Sequence, residues 1–254
     1  MALLETNKLT KRFSGLAAVT DLDISVNKGQ ILGLIGPNGA GKTTTFNLLS
    51  GELIPTSGRV IYKGKDVTGH QPYKLARLGM VRTFQLATVF QDLSVLDNMR
   101  VALHYRSKVG FLQTLFESPA MARKHETKVL EYAKKLLVMA GLDRFSDQRA
   151  GSLPGGYQKL MSIIIAMAVE PELLLLDEPV RGLDAEEIAV LIRLVKSIRD
   201  DRGTGVIMVE HNMKVVMDHC EYVVVINFGK KIAEGTPAQI AGDKRVIEAY
   251  LGSE

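Results

Sequence analysis

Apolar and polar positions along the chain are arranged in a way that predicts strands separated by helices. Short, nearly continuous apolar runs occur at Gln30 to Ile35, Leu173 to Asp177 and Gly205 to Glu210. Runs of this length are typical of parallel strands that are covered on both faces. Helical spacing of apolar residues is found from Lys42 and over Ala185 to Arg199. The pattern therefore predicts an α/β fold with a buried parallel sheet.

Strand-like alternation also marks regions near both ends of the chain. It predicts strands over Leu4 to Phe13, Val19 to Val26 and Gly58 to Tyr62, and a hairpin that pairs Val223 to Ile226 with Lys230 to Glu234.

Residues 92–142 differ from the rest, because strand patterns stop there and two helical patterns take their place. These predict helices over Val95 to Tyr105 and Ala120 to Ala140, the second of which ends at Gly141. We interpret residues 1–254 as a single domain with a helical insert at approximately 88–165.

The stretch GPNGAGKTT joins the strand at Gln30 to Ile35 to the helix that begins at Lys42. A glycine-rich turn in this position directs backbone N–H groups and the positive end of the helix dipole into one concavity, which suits phosphate. Lys42 is placed to reach the β- and γ-phosphates of a nucleotide, and the Thr43 hydroxyl to face Mg²⁺. The alternative is a glycine-rich turn that binds nothing. The candidate phosphate-binding residues are Gly36, Pro37, Asn38, Gly39, Ala40, Gly41, Lys42, Thr43 and Thr44.

Two carboxylates follow the most apolar run, LLLLDEP at 173–179. Downstream of a phosphate loop, this arrangement predicts that Asp177 holds Mg²⁺ through its water shell and that Glu178 orients or deprotonates the attacking water. The alternative is a solvated acidic turn.

Four further residues are candidates with ordinary structural alternatives. Phe13 is either a ring that stacks on adenine or a core aromatic. Gln85 ends a predicted strand, where its amide can bind Mg²⁺ or the attacking water. His211 follows another strand and is placed to donate a hydrogen bond to the γ-phosphate. Asp184 suits the N-cap of the helix from Ala185, with a Glu three residues on, and this capping role alone explains it.

Composition bears on the binding partners and the cellular compartment of the protein. The net charge of +4 favours anionic partners without selecting among nucleotide, membrane surface and nucleic acid. No apolar stretch reaches the length of a membrane span, and the first eleven residues lack the pattern of a signal peptide. With Cys220 as its only cysteine, the chain is expected to be intracellular and to contain no disulfide.

The ordered motifs resemble the ATP-binding cassette of ABC transporters. They are GPNGAGKTT, FQ at 84–85, LPGGYQ, LLLLDEP, RGLD and EH at 210–211, and the resemblance covers Leu4 to Gly252. Within the family, VRTFQ at 81–85, GFLQTLF at 110–116 and VIEAYLG at 246–252 are similar to the ATPase subunits of branched-chain amino acid importers. The resemblance implies a P-loop NTPase with a RecA-like core, an antiparallel β subdomain and an inserted α-helical subdomain.

The resemblance also implies a role for each candidate. Phe13 takes the adenine-stacking place, and Gln85 links Mg²⁺ and the attacking water to the membrane subunit. Glu178 is implied as the catalytic base, Asp184 as the residue that couples two ATPase subunits, and His211 as the switch histidine. The signature segment, which caps ATP held by a partner cassette, consists of Leu153, Pro154, Gly155, Gly156 and Tyr157.

The implied partners are two transmembrane permease subunits, a second ATPase subunit in a homodimer or heterodimer and, indirectly, a solute-binding protein. No nucleic acid is expected, and the expected location is peripheral, on the cytoplasmic face of the membrane. Two alternatives stay open: a soluble cassette that acts on nucleic acid or ribosomes, and a nucleotide-binding regulatory module without turnover. The sequence does not encode the solute.

Three residues depart from the family pattern. Pro154 replaces the usual serine of the signature, Tyr157 replaces glutamine, and Arg181 stands where a small residue is usual. Proline is tolerated at the start of a helix, but it lacks the hydroxyl that caps the helix and contacts γ-phosphate. We hypothesise that the signature half contributed by this chain is weakened while its phosphate loop and Glu178 are complete.

Overall fold

The computed structural model describes residues 2–83, 89–106 and 119–251. The strands within these ranges are β1 (Leu4–Phe13), β2 (Leu16–Leu22), β3 (Ser25–Val26), β4 (Ile31–Ile35), β5 (Ser57–Tyr62), β6 (Lys65–Asp66), β7 (Met80–Arg82), β8 (Leu173–Asp177), β9 (Gly205–Val209), β10 (Tyr222–Asn227) and β11 (Lys230–Gly235). The α-helices are α1 (Lys42–Leu49), α2 (Pro72–Arg77), α3 (Val95–Arg106), α4 (Pro119–Met139), α5 (Gly155–Ala168), α6 (Ala185–Arg202), α7 (Met213–His219), α8 (Pro237–Ala241) and α9 (Lys244–Leu251).

The described residues divide into two compact units. The first comprises Met1–Gln85, Pro171–Arg181 and Val195–Glu254, and the second comprises Leu86–Glu170 and Gly182–Leu194. Both sheets belong to the first unit, whereas α3, α4 and α5 belong to the second. The interpretation as one domain with an insert at approximately 88–165 stays a prediction.

The larger sheet carries the strands that the apolar runs predicted. Its order is β11-β10-β4-β9-β8-β7, in which β10 to β7 are parallel and β11 pairs antiparallel with β10. Every residue of β4, β8 and β9 is buried, as expected for parallel strands covered on both faces. The predicted parallel sheet is therefore confirmed, and its strands end at a common edge.

The smaller sheet is antiparallel, in the order β2-β1-β5-β6 with β3 also paired to β1. The prediction of one strand over Val19 to Val26 is wrong, because this stretch divides between β2 and β3. The Thr6 hydroxyl donates to the Leu22 carbonyl and accepts from the Ile24 N–H, both at 2.8 Å. The Thr6 N–H also donates to the Ile24 carbonyl at 2.9 Å, so both the main chain and the side chain of Thr6 contact the break between β2 and β3.

Short elements account for the other differences from the sequence-based prediction. Helices α2, α7 and α8 were not predicted, since each is too short to show a helical period. The strand expected to reach Gln85 is β7, which ends at Arg82, and Gln85 lies outside the described residues. Gly141 does end α4: it has a φ of +67°, and the following Leu142 N–H donates to Leu137 at 2.8 Å.

Among the described residues, no helix is long and apolar enough to cross a bilayer. The single cysteine, Cys220, is buried behind β4, and burial raises the pKa of its thiol to about 12.

Gly33 of β4 is packed closely against the segment that follows β9. A methyl group at Gly33 would lie 2.8 Å from Cγ1 of Val216 and 3.1 Å from Sγ of Cys220. Valine is rigid at χ1 and cannot turn away freely. The close approach of α7 to the sheet therefore requires glycine at this position.

We expect Gly33→Ala to lower the free energy of unfolding by about 1–3 kcal/mol, because the added methyl overpacks this space. Urea denaturation of Gly33→Ala, Val216→Ala and the double variant measures the effect. Val216→Ala removes the obstructing methyl groups, so the double variant should be more stable than the sum of the two single losses implies. Strictly additive losses would contradict the packing explanation.

Candidate functional site

A cavity of about 470 Å³ in the first unit brings the predicted phosphate loop together with Glu178. This volume lies within the range that small-molecule sites occupy. The residues that line it are Leu16, Ala17, Ala18, Asn38, Gly39, Ala40, Gly41, Lys42, Thr43, Thr44, Glu178, Phe228 and Gly229.

Close main-chain contacts fix the shape of the phosphate loop. Gly41 precedes α1 with a φ of +100°, and a Cβ there would lie 2.5 Å from the Ala18 carbonyl oxygen. A Cβ on Gly36 would lie 2.1 Å from the Ile226 carbonyl oxygen. Only glycine fits these positions, so the loop is held between β2 and β10 by its backbone. The first turn of α1 contains no acidic residue, which leaves its N–H groups suited to an anion.

Lys42 places its ammonium group inside this loop. Its Nζ donates to the carbonyl oxygens of Gly36 at 2.6 Å and Pro37 at 2.9 Å. Burial lowers the pKa of Lys42, and the nearby Glu178 carboxylate opposes that shift. The ammonium is therefore partly desolvated, a state in which its attraction for phosphate oxygens is stronger than in bulk water.

Glu178 and His211 lie near each other, because each follows one of two neighbouring strands, β8 and β9. The Glu178 N–H donates to the Val209 carbonyl at 2.9 Å, which joins the ends of β8 and β9. One carboxylate oxygen of Glu178 is 3.7 Å from Nδ1 of His211, and the other is 3.0 Å from Nη1 of Arg181. The carboxylate lines the cavity, where it can act on a water molecule. The ion pair with Arg181 was not predicted.

Asp177 is more deeply buried than Glu178 and is held by Arg82. Oδ2 of Asp177 is 2.9 Å from Nη2 of Arg82, and the two side chains are only 2% and 12% exposed. Nη1 of Arg82 donates to Asn47 at 2.7 Å and Ser50 at 2.9 Å, and its guanidinium lies 4.9 Å from the Phe46 ring centroid. Arg82 thus connects the phosphate-loop helix to the end of β8. In the sequence, this role of Arg82 is indicated only by the presence of a charged residue in an otherwise apolar strand.

The oxygen donors here suit a hard divalent cation. Thr43 lines the cavity in the first turn of α1, whereas the Asp177 carboxylate is paired with Arg82 outside the cavity lining, where it can act through water. Mg²⁺ prefers such oxygen ligands and takes the rest from water and phosphate. Within the described ranges, no group of three or more His, Cys, Asp or Glu side chains could hold a metal by itself. The third predicted metal ligand, Gln85, lies outside those ranges.

Glu210 holds the two loops of the site together, and the sequence pattern does not predict it as a site residue. Its side chain is fully buried and accepts hydrogen bonds from the N–H groups of Val180 at 2.9 Å and His211 at 3.3 Å. Burial raises the pKa of Glu210, while these backbone donors oppose the shift. The residue joins the loop after β8 to the loop after β9, and so fixes the segments that carry Glu178 and His211.

Phe13 ends β1 with its side chain 45% exposed and the Lys11 ammonium 5.2 Å from its ring centroid. Phe13 does not line the cavity. In the hairpin formed by β1 and β2, the lining residues begin at Leu16. The predicted contact of Phe13 with adenine stays a prediction.

The signature segment lies in the second unit. Pro154 caps α5 without a side-chain hydrogen bond, and a Cβ on Gly156 would lie 1.9 Å from Oε1 of Glu187. The Tyr157 hydroxyl accepts a hydrogen bond from Nη2 of Arg144 at 2.7 Å. Buried Leu153 precedes this turn, and Gly155 begins the helix.

Asp184 caps α6 as predicted. The Glu187 N–H donates to Oδ1 of Asp184 at 2.9 Å, and the Asp184 N–H donates to Oε2 of Glu187 at 3.0 Å. This reciprocal pair is a capping box. Glu187 therefore both completes the cap and packs against Gly156 of the signature.

Comparison with known proteins identifies the family. A family model described as ABC transporter matches residues 19–181, and one described as branched-chain amino acid ATP-binding cassette transporter matches residues 230–254. BraF of Pseudomonas aeruginosa, a high-affinity branched-chain amino acid transport ATP-binding protein, is 41% identical over 98% of each chain. LivG of Escherichia coli K12, which has the same description, is 38% identical over 98% of each chain.

A crystal structure of an ATP-binding cassette of an ABC transporter in its ADP conformation is 31% identical to this chain and covers 100% of both chains, with a TM-score of 0.83. The cassette fold that the sequence motifs implied is thereby confirmed. The chain belongs to the ABC transporter family, as an ATP-binding subunit similar to those of branched-chain amino acid transporters.

Proposed function

We propose that this protein is the ATP-binding and ATP-hydrolysing subunit of an ABC importer, which energises uptake of branched-chain amino acids or related small solutes. The cavity in which the phosphate loop, Lys42 and the Glu178 carboxylate face one another is the observation that carries the proposal. The names of the two relatives at 41% and 38% identity support the solute class.

The phosphate loop binds the triphosphate of ATP through residues 36–44. Backbone N–H groups and the N-terminus of α1 receive the phosphate oxygens. The Lys42 ammonium exchanges its contacts with the Gly36 and Pro37 carbonyls for the β- and γ-phosphates. Thr43, Asp177 and Gln85 are the residues that would hold Mg²⁺, which would neutralise charge on the phosphates.

Glu178 acts as the general base in hydrolysis. Its carboxylate orients the attacking water and accepts a proton from it as the water oxygen bonds to the γ-phosphorus and the bond from that phosphorus to the leaving ADP breaks. His211 donates a hydrogen bond to the γ-phosphate. Glu210 maintains the spacing of the two loops that carry these groups. The 3.0 Å ion pair with Arg181 fixes the Glu178 side chain before the water is bound.

Two cassettes act together in this proposal. Leu153, Pro154, Gly155, Gly156 and Tyr157 cap ATP held by the partner cassette, and Asp184 couples the two subunits. The ATPase pair works with two transmembrane permease subunits and, indirectly, with a solute-binding protein. It therefore lies peripherally on the cytoplasmic face of the membrane.

The alternative of a soluble cassette acting on nucleic acid or ribosomes is not favoured. The similarity to transport ATP-binding proteins extends over 98% of the chain, whereas the net charge of +4 suits a nucleotide or a membrane surface as well as nucleic acid. Measurement of ATP hydrolysis by the parent and by Glu178→Gln distinguishes an ATPase from a nucleotide-binding regulatory module without turnover.

Glu178→Gln is expected to lower ATP hydrolysis by roughly 10²- to 10⁴-fold, because the amide cannot accept the proton of water. ATP binding should be retained, since the phosphate loop is unchanged. Phosphate release by the complex assembled with its permease, and calorimetric titration of ATP, measure the two properties. Glu52→Gln, at an exposed position outside the cavity lining, is the matched control. Hydrolysis equal to that of the parent would exclude Glu178 as the base.

Pro154→Ser is expected to raise ATP turnover of the assembled complex about tenfold, since it restores a hydroxyl that can cap α5 and donate to γ-phosphate. The φ of −52° and ψ of 148° at Pro154 also suit a serine N-cap. Pro154→Ala, which changes the backbone in the same way but adds no hydroxyl, is the control. Unchanged turnover in Pro154→Ser would show that the signature is not weakened by proline.

A further inference from the structure

Phe228 is an exposed aromatic side chain at the nucleotide cavity with no assigned role. It lies in the turn between β10 and β11, lines the cavity and is 84% exposed. Its backbone is left-handed, with a φ of +45°. Asn and Gly adopt that conformation more readily than a bulky aromatic residue. The two-residue hairpin turn requires a positive φ at both Phe228 and Gly229 (+75°), so the backbone serves the turn, but the turn does not require an exposed aromatic side chain.

The turn that carries Phe228 is attached to the phosphate loop. The Gly229 N–H donates to the Ala40 carbonyl at 2.9 Å, and the Gly229 carbonyl accepts from the Thr20 N–H at 2.8 Å. A Cβ on Gly229 would lie 2.7 Å from the Ala18 carbonyl oxygen. The position of Phe228 relative to the phosphate loop is thus set by main-chain contacts on both sides.

A second exposed apolar side chain lines the same cavity. Leu16, at the start of β2, is 75% exposed. The phosphate loop supplies polar groups to this cavity, and Phe228 and Leu16 supply large apolar surface. A ligand that satisfies both parts has a charged end and a flat apolar end, as a nucleoside triphosphate does.

We propose that Phe228, together with Leu16, forms the apolar wall that contacts the base of the nucleotide bound at the phosphate loop. The inference rests on the proposed function and adds a base-binding residue to it. Stacking on an aromatic ring tolerates any base, because every base has a π-face. The contact therefore adds affinity for nucleoside triphosphates without selecting adenine over guanine.

The proposal is distinct from the predicted role of Phe13. Phe13 is absent from the cavity lining and has the Lys11 ammonium 5.2 Å from its ring centroid, whereas Phe228 is part of the lining. Single alanine variants at the two positions separate the two roles.

The test compares two probes, ATP and inorganic tripolyphosphate, each with Mg²⁺, in calorimetric titrations of the full chain. Phe228→Ala is expected to weaken ATP binding roughly five- to 150-fold, the range that loss of one base-stacking ring gives. Its affinity for tripolyphosphate should equal that of the parent, since this probe has no base. Phe228→Trp, which keeps a stacking surface, should bind ATP like the parent.

Control variants separate base contact from other effects. Tyr73→Ala removes another exposed ring, which lies outside the cavity lining, and should leave both affinities unchanged. The melting temperature of Phe228→Ala should not fall, because the replaced ring is exposed. Phe13→Ala in the same titrations measures the contribution of the other aromatic residue.

Equal ATP affinity in Phe228→Ala and the parent would overturn the inference while the proposed function stands. An equal loss of ATP and tripolyphosphate binding would also overturn it, since the ring would then act on the phosphate loop. If the parent binds neither probe, the proposed function itself fails, and the inference fails with it.

Discussion

Parallel pairing of β4, β9 and β8 is the constraint on which the site depends. Leu34 pairs with Val209, and Val209 pairs in turn with Asp177, so the three strands end at the same level of the sheet. The phosphate loop follows β4, His211 follows β9 and Glu178 follows β8. Strand pairing alone therefore brings residues that are far apart in the sequence to one edge of the sheet, and no bound nucleotide is needed to assemble them. The geometry is a property of strand register, and the chemistry is added by the loops.

Buried ionisable side chains hold that edge in place, and each makes hydrogen bonds or an ion pair with neighbouring groups. Arg82 satisfies Asp177 and two groups of the phosphate-loop helix, while Glu210 receives backbone donors from two loops. Buried ions are tolerated only when their hydrogen-bonding capacity is used in this way. They contribute a fixed arrangement rather than a large gain in stability.

The sequence predicts those parts of the molecule that depend on local pattern. Continuous apolar runs located β4, β8 and β9, and a capping residue followed three positions later by Glu located the start of α6. Contacts between distant residues, such as Arg82 with Asp177 or Glu210 with Val180, have no local signature. The break between β2 and β3 was missed for the same reason, since its contacts are with Thr6 of another strand. The aromatic residue that lines the cavity, Phe228, could not be distinguished from Phe13 before the fold was known.

The buried thiol of Cys220 has a practical consequence for studying this protein. Because its pKa is raised to about 12 and the side chain is only 7% exposed, the sulfur stays protonated and shielded near neutral pH. Alkylating reagents and thiol-specific spin labels react with the thiolate, which is the attacking nucleophile. A cysteine introduced on the surface can thus be labelled selectively in the natural background, which gives access to distance measurements between two cassettes without first removing the native sulfur.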